Sequence, residues 1–215
     1  MYVLALDTAT PAVTAGVVEL TADGCVQRSV RVAHDARKHA ELLMPGIVAA
    51  CDEAGIALAD LGAVVSGAGP GPFTGLRVGM VTAAALGDAL GIPVHGVCSL
   101  DAIAHGLGAV VVVTDARRRE VYWAAYDGDG RRTHGPHVDA PAVLLERLPD
   151  VPAAAGGSAE VAGLPVVGSA APTPAGLVAV AAQALRDGIV PGPLEPLYLR
   201  RPDAVEPGAR KRVMV

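Results

Sequence analysis

An α/β fold of two tandem lobes is the architecture that this 215-residue sequence predicts. Three observations point there. The two halves open alike, with an apolar strand (residues 2–6 and 110–114) that ends at an aspartate, Asp7 or Asp115, and turns into a second apolar strand. Between those openings, an apolar run at 63–66 enters a Gly/Pro loop and then an Ala/Gly/Leu-rich segment, the strand–loop–helix order of α/β units. The composition is 52% hydrophobic with only 3% aromatic residues, so the core must be built mainly from Val, Leu and Ala.

The elements follow in order. Residues 13–20 and 25–32 read as strands joined by the turn Ala22-Asp23-Gly24. Residues 36–53 read as a helix, because Ala40, Leu43, Met44, Ile47, Cys51 and Ala54 recur at i, i+3, i+4 spacing. Pro45 inside it predicts a kink. Residues 73–90 form the next helix, ended by Gly91-Ile92-Pro93, and 94–98 returns as a strand. In the second half, Arg117-Arg118-Arg119 is a turn between strands 110–115 and 121–126, and Asp127-Gly128-Asp129-Gly130 is another turn. Helices are expected at 143–148 and 173–187, with weak strands at 151–155 and 165–167. The predicted lobes are 1–108 and 109–190. Residues 191–215 form a tail that is solvated by default and ends in Arg210-Lys211-Arg212, while 196–200 is apolar enough to pack back on the body.

A net charge of −5 and a pI near 5.6 give no global basic field for nucleic acid, so any RNA role is expected to be indirect. Lys38 and Lys211 are the only lysines, so the Gly-rich loop has no phosphate-gripping lysine. Cys25, Cys51 and Cys98 form no C-x-x-C pair, which fits a reducing cytoplasm. The apolar start is short, lacks a basic leader and reads as a strand rather than a signal peptide. No apolar run reaches membrane-spanning length, so no membrane association is expected.

Candidate chemistry gathers at few places. Gly69 and Gly71 permit close backbone approach, but Pro70 and Pro72 remove two N–H donors. A structural turn is therefore favoured over a phosphate cradle, with Thr74 and Arg77 as candidate anion contacts or, for Thr74, a helix cap. Gly75, Gly79, Ala83 and Gly87 lie four apart and form a small-residue stripe. It fits close packing on the chain's own sheet as well as an intermolecular contact. Asp7 and Asp115, with Thr8 and Thr10, are candidate nucleotide contacts at strand ends. His34 and His39 would diverge on a helix, and His134 and His137 sit in a turn-like stretch near Pro136, so no metal site is expected. Cys98, near His95, Ser99 and His105, reads as a buried inert thiol. Arg117 to Arg119 with Tyr122 and Trp123 reads as a solvated hairpin rather than an RNA patch.

Residues 69–79, Gly-Pro-Gly-Pro-Phe-Thr-Gly-Leu-Arg-Val-Gly, resemble the G-P-G-S-F-T-G-L-R-I-G signature of the bacterial TsaB (YeaZ) family, with Pro72 where the family has Ser. Residues 6–10, 39–45, 99–102, 115–122 and 196–200 also look like family positions, so the resemblance spans nearly the whole chain. It implies the actin-like ATPase (ASKHA, ribonuclease H-like) fold. It also implies a non-catalytic subunit of the machinery that makes threonylcarbamoyladenosine beside the tRNA anticodon. The catalytic paralogue TsaD would supply ATP and metal, leaving this chain with no cofactor of its own, and a TsaE-type ATPase would join them. Pairing through N-terminal helices, or homodimer formation when alone, makes Leu42, Leu43, Met44, Ile47, Gly75, Gly79, Ala83 and Gly87 the candidate partner surface. The segment answering TsaD's metal motif, residues 99–103, has no histidine pair. The alternative is a nucleotide-binding enzyme of the same superfamily, an ATPase or carbamoyltransferase-like protein, with its site at the inter-lobe cleft.

Overall fold

A computed structural model describes residues 1–35 and 38–200. The first sheet contains β1 (Tyr2–Asp7), β2 (Ala12–Leu20), β3 (Cys25–Gln27), β4 (Arg31–His34), β5 (Leu61–Gly67) and β6 (Val94–Val97). Its order is β3-β2-β1-β5-β6, with β4 also paired to β2; β1, β5 and β6 are parallel and the others antiparallel. The predicted single strand at 25–32 is two strands. Between them Ser29 is buried, and its hydroxyl accepts the Val17 N–H at 3.1 Å, so the chain breaks off β2 and rejoins it.

Alternation along β1 sets the layers. Val3 and Ala5 face one side and cluster with Val18, Leu20, Ala63 and Val65 against helix α5 (Pro174–Arg186). Leu4 and Leu6 face the other side, where Leu43 and Ile47 of α1 (His39–Ala54) and Ala83 of α2 (Phe73–Leu90) cover them. The helix α5, assigned by sequence order to the second lobe, thus completes the first layer sandwich: its apolar face Leu177, Val178, Ala181, Ala182 and Leu185 meets the first sheet. The helix starts one residue later than expected, because Thr173 is its N-cap and accepts the Gly176 N–H at 3.0 Å. Pro45 lies within α1 without ending it, and Gly55 and Gly91 close α1 and α2 in the left-handed conformation.

The second sheet runs β10-β7-β8-β9, from β7 (Val110–Asp115), β8 (Val121–Tyr126), β9 (Arg132–Asp139) and β10 (Ala154–Ala155). On one face Val110, Val112, Tyr122, Ala124 and Tyr126 pack against Leu100 and Ile103 of α3 (Ser99–Ala104). On the other, Val111, Val113 and Trp123 pack against Leu144 of α4 (Pro141–Arg147) and Ala159 and Ala162 of a 3-10 turn. His134 and His137 lie in β9, not in a turn; His137 pairs with Trp123 in register. The α3 helix was not expected from the sequence. The stretch 191–200 is not a solvated tail. Leu197 donates its N–H to the Ala68 carbonyl at 2.8 Å, and Leu194 and Leu197 pack onto the core. Residues 201–215, including Arg210-Lys211-Arg212, lie outside the described residues. No helix among the described residues is long and apolar enough to cross a membrane.

Candidate functional site

Asp7 ends β1 fully buried. Its Oδ1 accepts the Ala9 N–H at 2.8 Å and its Oδ2 accepts the Ser99 hydroxyl at 2.5 Å. Ser99 Oγ in turn accepts the Gly69 N–H at 3.3 Å. One carboxylate therefore ties β1, the start of α3 and the Gly/Pro loop together. A Cβ on Gly67 would collide with the Asp7 carboxylate, so glycine at the end of β5 is what makes the room. Burial pushes the Asp7 pKa up to about 6; the Ser99 and Ala9 hydrogen bonds and the charge of His39 pull the other way. Opposite Asp7 in the β1–β2 register lies Thr14, whose buried hydroxyl has no hydrogen-bond partner among the described residues.

Thr8 is also consumed by the fold. Its hydroxyl donates to the Gly75 carbonyl at 2.7 Å and accepts the Gly79 N–H at 2.9 Å, clamping the turn after β1 onto α2. Thr10 is buried, and its carbonyl accepts a hydrogen bond from His39 Nε2 at 3.1 Å. A hollow of about 210 Å³ touches Thr8, Thr10, His39, Thr74, Gly75 and Arg117. Thr74 lies there exposed in the first turn of α2. It does not cap the helix, since the N-cap is Pro72 and no side chain caps it.

Asp115 ends β7 and is separated from Asp7 by role. It is partly exposed, its Oδ1 accepts the Arg117 N–H at 2.9 Å, and its Oδ2 lies 3.5 Å from Arg117 Nε. The turn it anchors holds Arg117, Arg118 and Arg119 at φ of 62°, 54° and 64°, three left-handed residues in a row without a glycine. The turn is the exposed hairpin expected, but its arginines are left-handed rather than alternating as on a strand. It brings Arg117 and Arg118 to a second cleft of about 660 Å³, shared with Phe73, Arg77, Tyr198 and Arg200. Cys98 is buried, and burial raises its thiol to about 11, the inert state expected. Among the described residues no three His, Cys, Asp or Glu side chains converge.

The expected partner surface needs the largest correction. Leu43, Ile47 and Ala83 are buried in the core of the first sheet. Gly79 packs on β1, where a Cβ would stand 2.5 Å from Thr8 Oγ1, and a Cβ on Gly87 would strike the Val94 side chain. Gly75 faces the Thr8 carbonyl at 3.0 Å from the same construction, and Leu42 is half-buried against the core. The small-residue stripe is therefore the inner face of α2. Of the eight residues, Met44 is the one that stands exposed, at 38%. One turn from it lies Val48 at 44%, with Ala40 on the same side, and on α2 Val81 is exposed at 66% beside Ala84 and Ala85.

Comparison with known proteins places this geometry. The family model described as TsaD: tRNA N6-adenosine threonylcarbamoyltransferase matches residues 32–184. An uncharacterized protein of Mycobacterium tuberculosis is 56% identical over 203 residues, covering 94% of this chain and 93% of that protein. The tRNA threonylcarbamoyladenosine biosynthesis protein TsaB of Escherichia coli is 35% identical over 158 residues, covering 69% of this chain and 66% of its own length. The solved structure of YeaZ from Pseudomonas aeruginosa superposes with a TM-score of 0.74 at 28% identity, covering 92% of this chain and 99% of that one. The two-sheet α/β architecture is thus that of the YeaZ structures, the actin-like fold. With its family model, its relatives and its fold in agreement, the chain belongs to the TsaD family as a member of the TsaB (YeaZ) type.

Proposed function

We propose that this chain is a non-catalytic subunit in the formation of threonylcarbamoyladenosine in tRNA, acting by docking a TsaD-type catalytic subunit. The observation that carries this reading is the state of Asp7 and Thr8. In the actin-like fold a strand-end carboxylate is the natural group to face metal-bound phosphate. Here Asp7 is fully buried with both oxygens hydrogen-bonded, and Thr8 is spent on α2. The residues on which an ATPase reading would rest serve as internal ties.

The docking surface is the outer side of α1 and α2, centred on Met44, Val48 and Val81. These apolar side chains stand in solvent on neighbouring helices, and the small alanines beside them permit close approach of further helices. The occupant is a TsaD-type subunit, with a second copy of this chain on the same face when that subunit is missing. ATP and metal belong to the catalytic subunit, and a TsaE-type ATPase completes the assembly. Reconstituted threonylcarbamoyl transfer with and without this chain tests the reading. Transfer should depend on the chain, persist with Asp7→Asn, and fall with Val81→Asp. ATP turnover by the isolated chain that Asp7→Asn abolishes would overturn it.

A further inference from the structure

The cleft of about 660 Å³ between the start of α2, the β7–β8 turn and residues 198–200 has no part in the docking surface. Its chemistry is unlike the rest of the molecule. The chain has a single phenylalanine, Phe73, and only six aromatic residues in all, of which Tyr122, Trp123 and Tyr126 are buried in the core of the second sheet. A lone phenylalanine would ordinarily be buried, yet Phe73 stands 48% exposed. Tyr198, 41% exposed, stacks on it with ring centroids 5.1 Å apart and 26° between the planes. Arg77 lies over the Phe73 ring at 3.7 Å and donates its Nε–H to the Tyr198 hydroxyl at 2.8 Å.

The opposite wall is basic. Arg117 and Arg118 reach the cleft from the left-handed turn, and Arg200 from the chain end that packs back. Four guanidinium groups thus meet in one cleft of a chain whose net charge is −5. Asp115 offsets Arg117, and Glu120 pairs with Arg200. Arg77 instead has an aromatic face and a phenol as partners, so its terminal N–H groups keep their capacity for an anion. Left-handed conformations are unfavourable for arginine, and the fold maintains three of them where two of the side chains line the cleft.

We propose that this cleft binds a nucleotide unit, with the base stacked on the Phe73–Tyr198 platform and the phosphate held by Arg77 and Arg117. Stacking surfaces flanked by arginine are how proteins take unpaired nucleotides, and the cleft volume lies in the range of small-molecule sites, about 300–1,000 Å³. The unit comes either from a single-stranded RNA or from a free mononucleotide, which share this chemistry. The proposal goes beyond the docking reading and does not need a partner. It also reverses the expectation from net charge that RNA is met only indirectly, because the local field and not the total decides.

The test uses the full chain at low salt, with a labelled oligoadenylate RNA followed by fluorescence anisotropy and AMP followed by calorimetry. Phe73→Ala should weaken binding about 5- to 100-fold without changing its salt dependence. Arg77→Gln should weaken binding and lower the slope of log K against log salt by about 0.7 for a single strand. Arg131→Gln, whose side chain is 81% exposed on the β8–β9 turn, should change neither. RNA binding that AMP does not compete with assigns the site to a strand, and AMP binding with the same variant pattern assigns it to a mononucleotide. Absence of binding to both probes overturns the proposal. So does binding that Phe73→Ala leaves intact, or binding that Arg131→Gln weakens as much as Arg77→Gln.

Discussion

Replacing Asp7 by Asn is the perturbation whose size the structure sets most closely. The carboxylate is fully buried, and burial lifts its pKa from 3.8 to about 6. In the unfolded chain the group returns to the ordinary value. Between those two values the folded state therefore binds more protons than the unfolded state. Stability falls as pH rises through that window, opposite to the usual carboxylate. A difference of about two pKa units corresponds to about 3 kcal/mol, present below about pH 4 and lost by about pH 7. Asparagine has no proton to lose, and its amide can still accept from Ala9 and donate to Ser99. Urea melts of the two proteins across this range measure the difference. The stability of Asp7→Asn relative to the parent should rise by about 3 kcal/mol from about pH 4 to pH 7. Parallel curves would show that Asp7 is not desolvated in the folded chain, and a relative fall would show that its charge is stabilising. Either result would return Asp7 to the list of candidate functional carboxylates.

The remaining predictions concern packing and surface. Gly79→Ala puts a methyl 2.5 Å from Thr8 Oγ1 and should cost a net 1–3 kcal/mol or roughly 2–10 °C in Tm, despite the better helix propensity of Ala; an unchanged Tm would refute the inner placement of the stripe. Thr14→Val removes a buried hydroxyl with no partner and keeps the side-chain shape, so it should stabilise by about 1 kcal/mol in denaturant melts; a loss of stability would mean that the hydroxyl is satisfied. Val81→Asp changes a 66% exposed side chain and should shift folding stability by no more than about 0.5 kcal/mol while weakening partner binding, which a melt and a binding assay on one sample would separate.

Local chemistry made several elements readable from the residues. Pro72 before Phe73 and Gly91 after Leu90 bracket α2 at the bounds observed, and Val110–Asp115 and Val121–Tyr126 stand out as apolar runs between turn residues. The strand β9 was hidden because Gly135 and Pro136 interrupt a largely exposed, polar stretch; it pairs with β8 through its backbone. The break at Ser29 depends on an N–H contributed by Val17, which no local pattern announces. The small-residue stripe was legible as a close approach, since glycine four apart in a helix needs a reason. Which surface approaches it was not legible, because Thr8 and Val94 reach α2 only through the sheet. At the site, the position of Asp7 at a strand end was plain, but its partner Ser99 lies 92 residues away. The cleft arginines were split in sequence among residues 77, 117, 118 and 200, so only folding reveals them as one group.

The central claim is that this chain acts by docking through the outer face of α1 and α2, and the affinity of the chain for a TsaD-type subunit tests it most directly. Titration of that subunit with the parent chain and with Met44→Asp/Val81→Asp should give tight binding for the first and at least about a tenfold loss for the second, with both chains melting alike. Equal affinity from two equally folded chains would contradict the account.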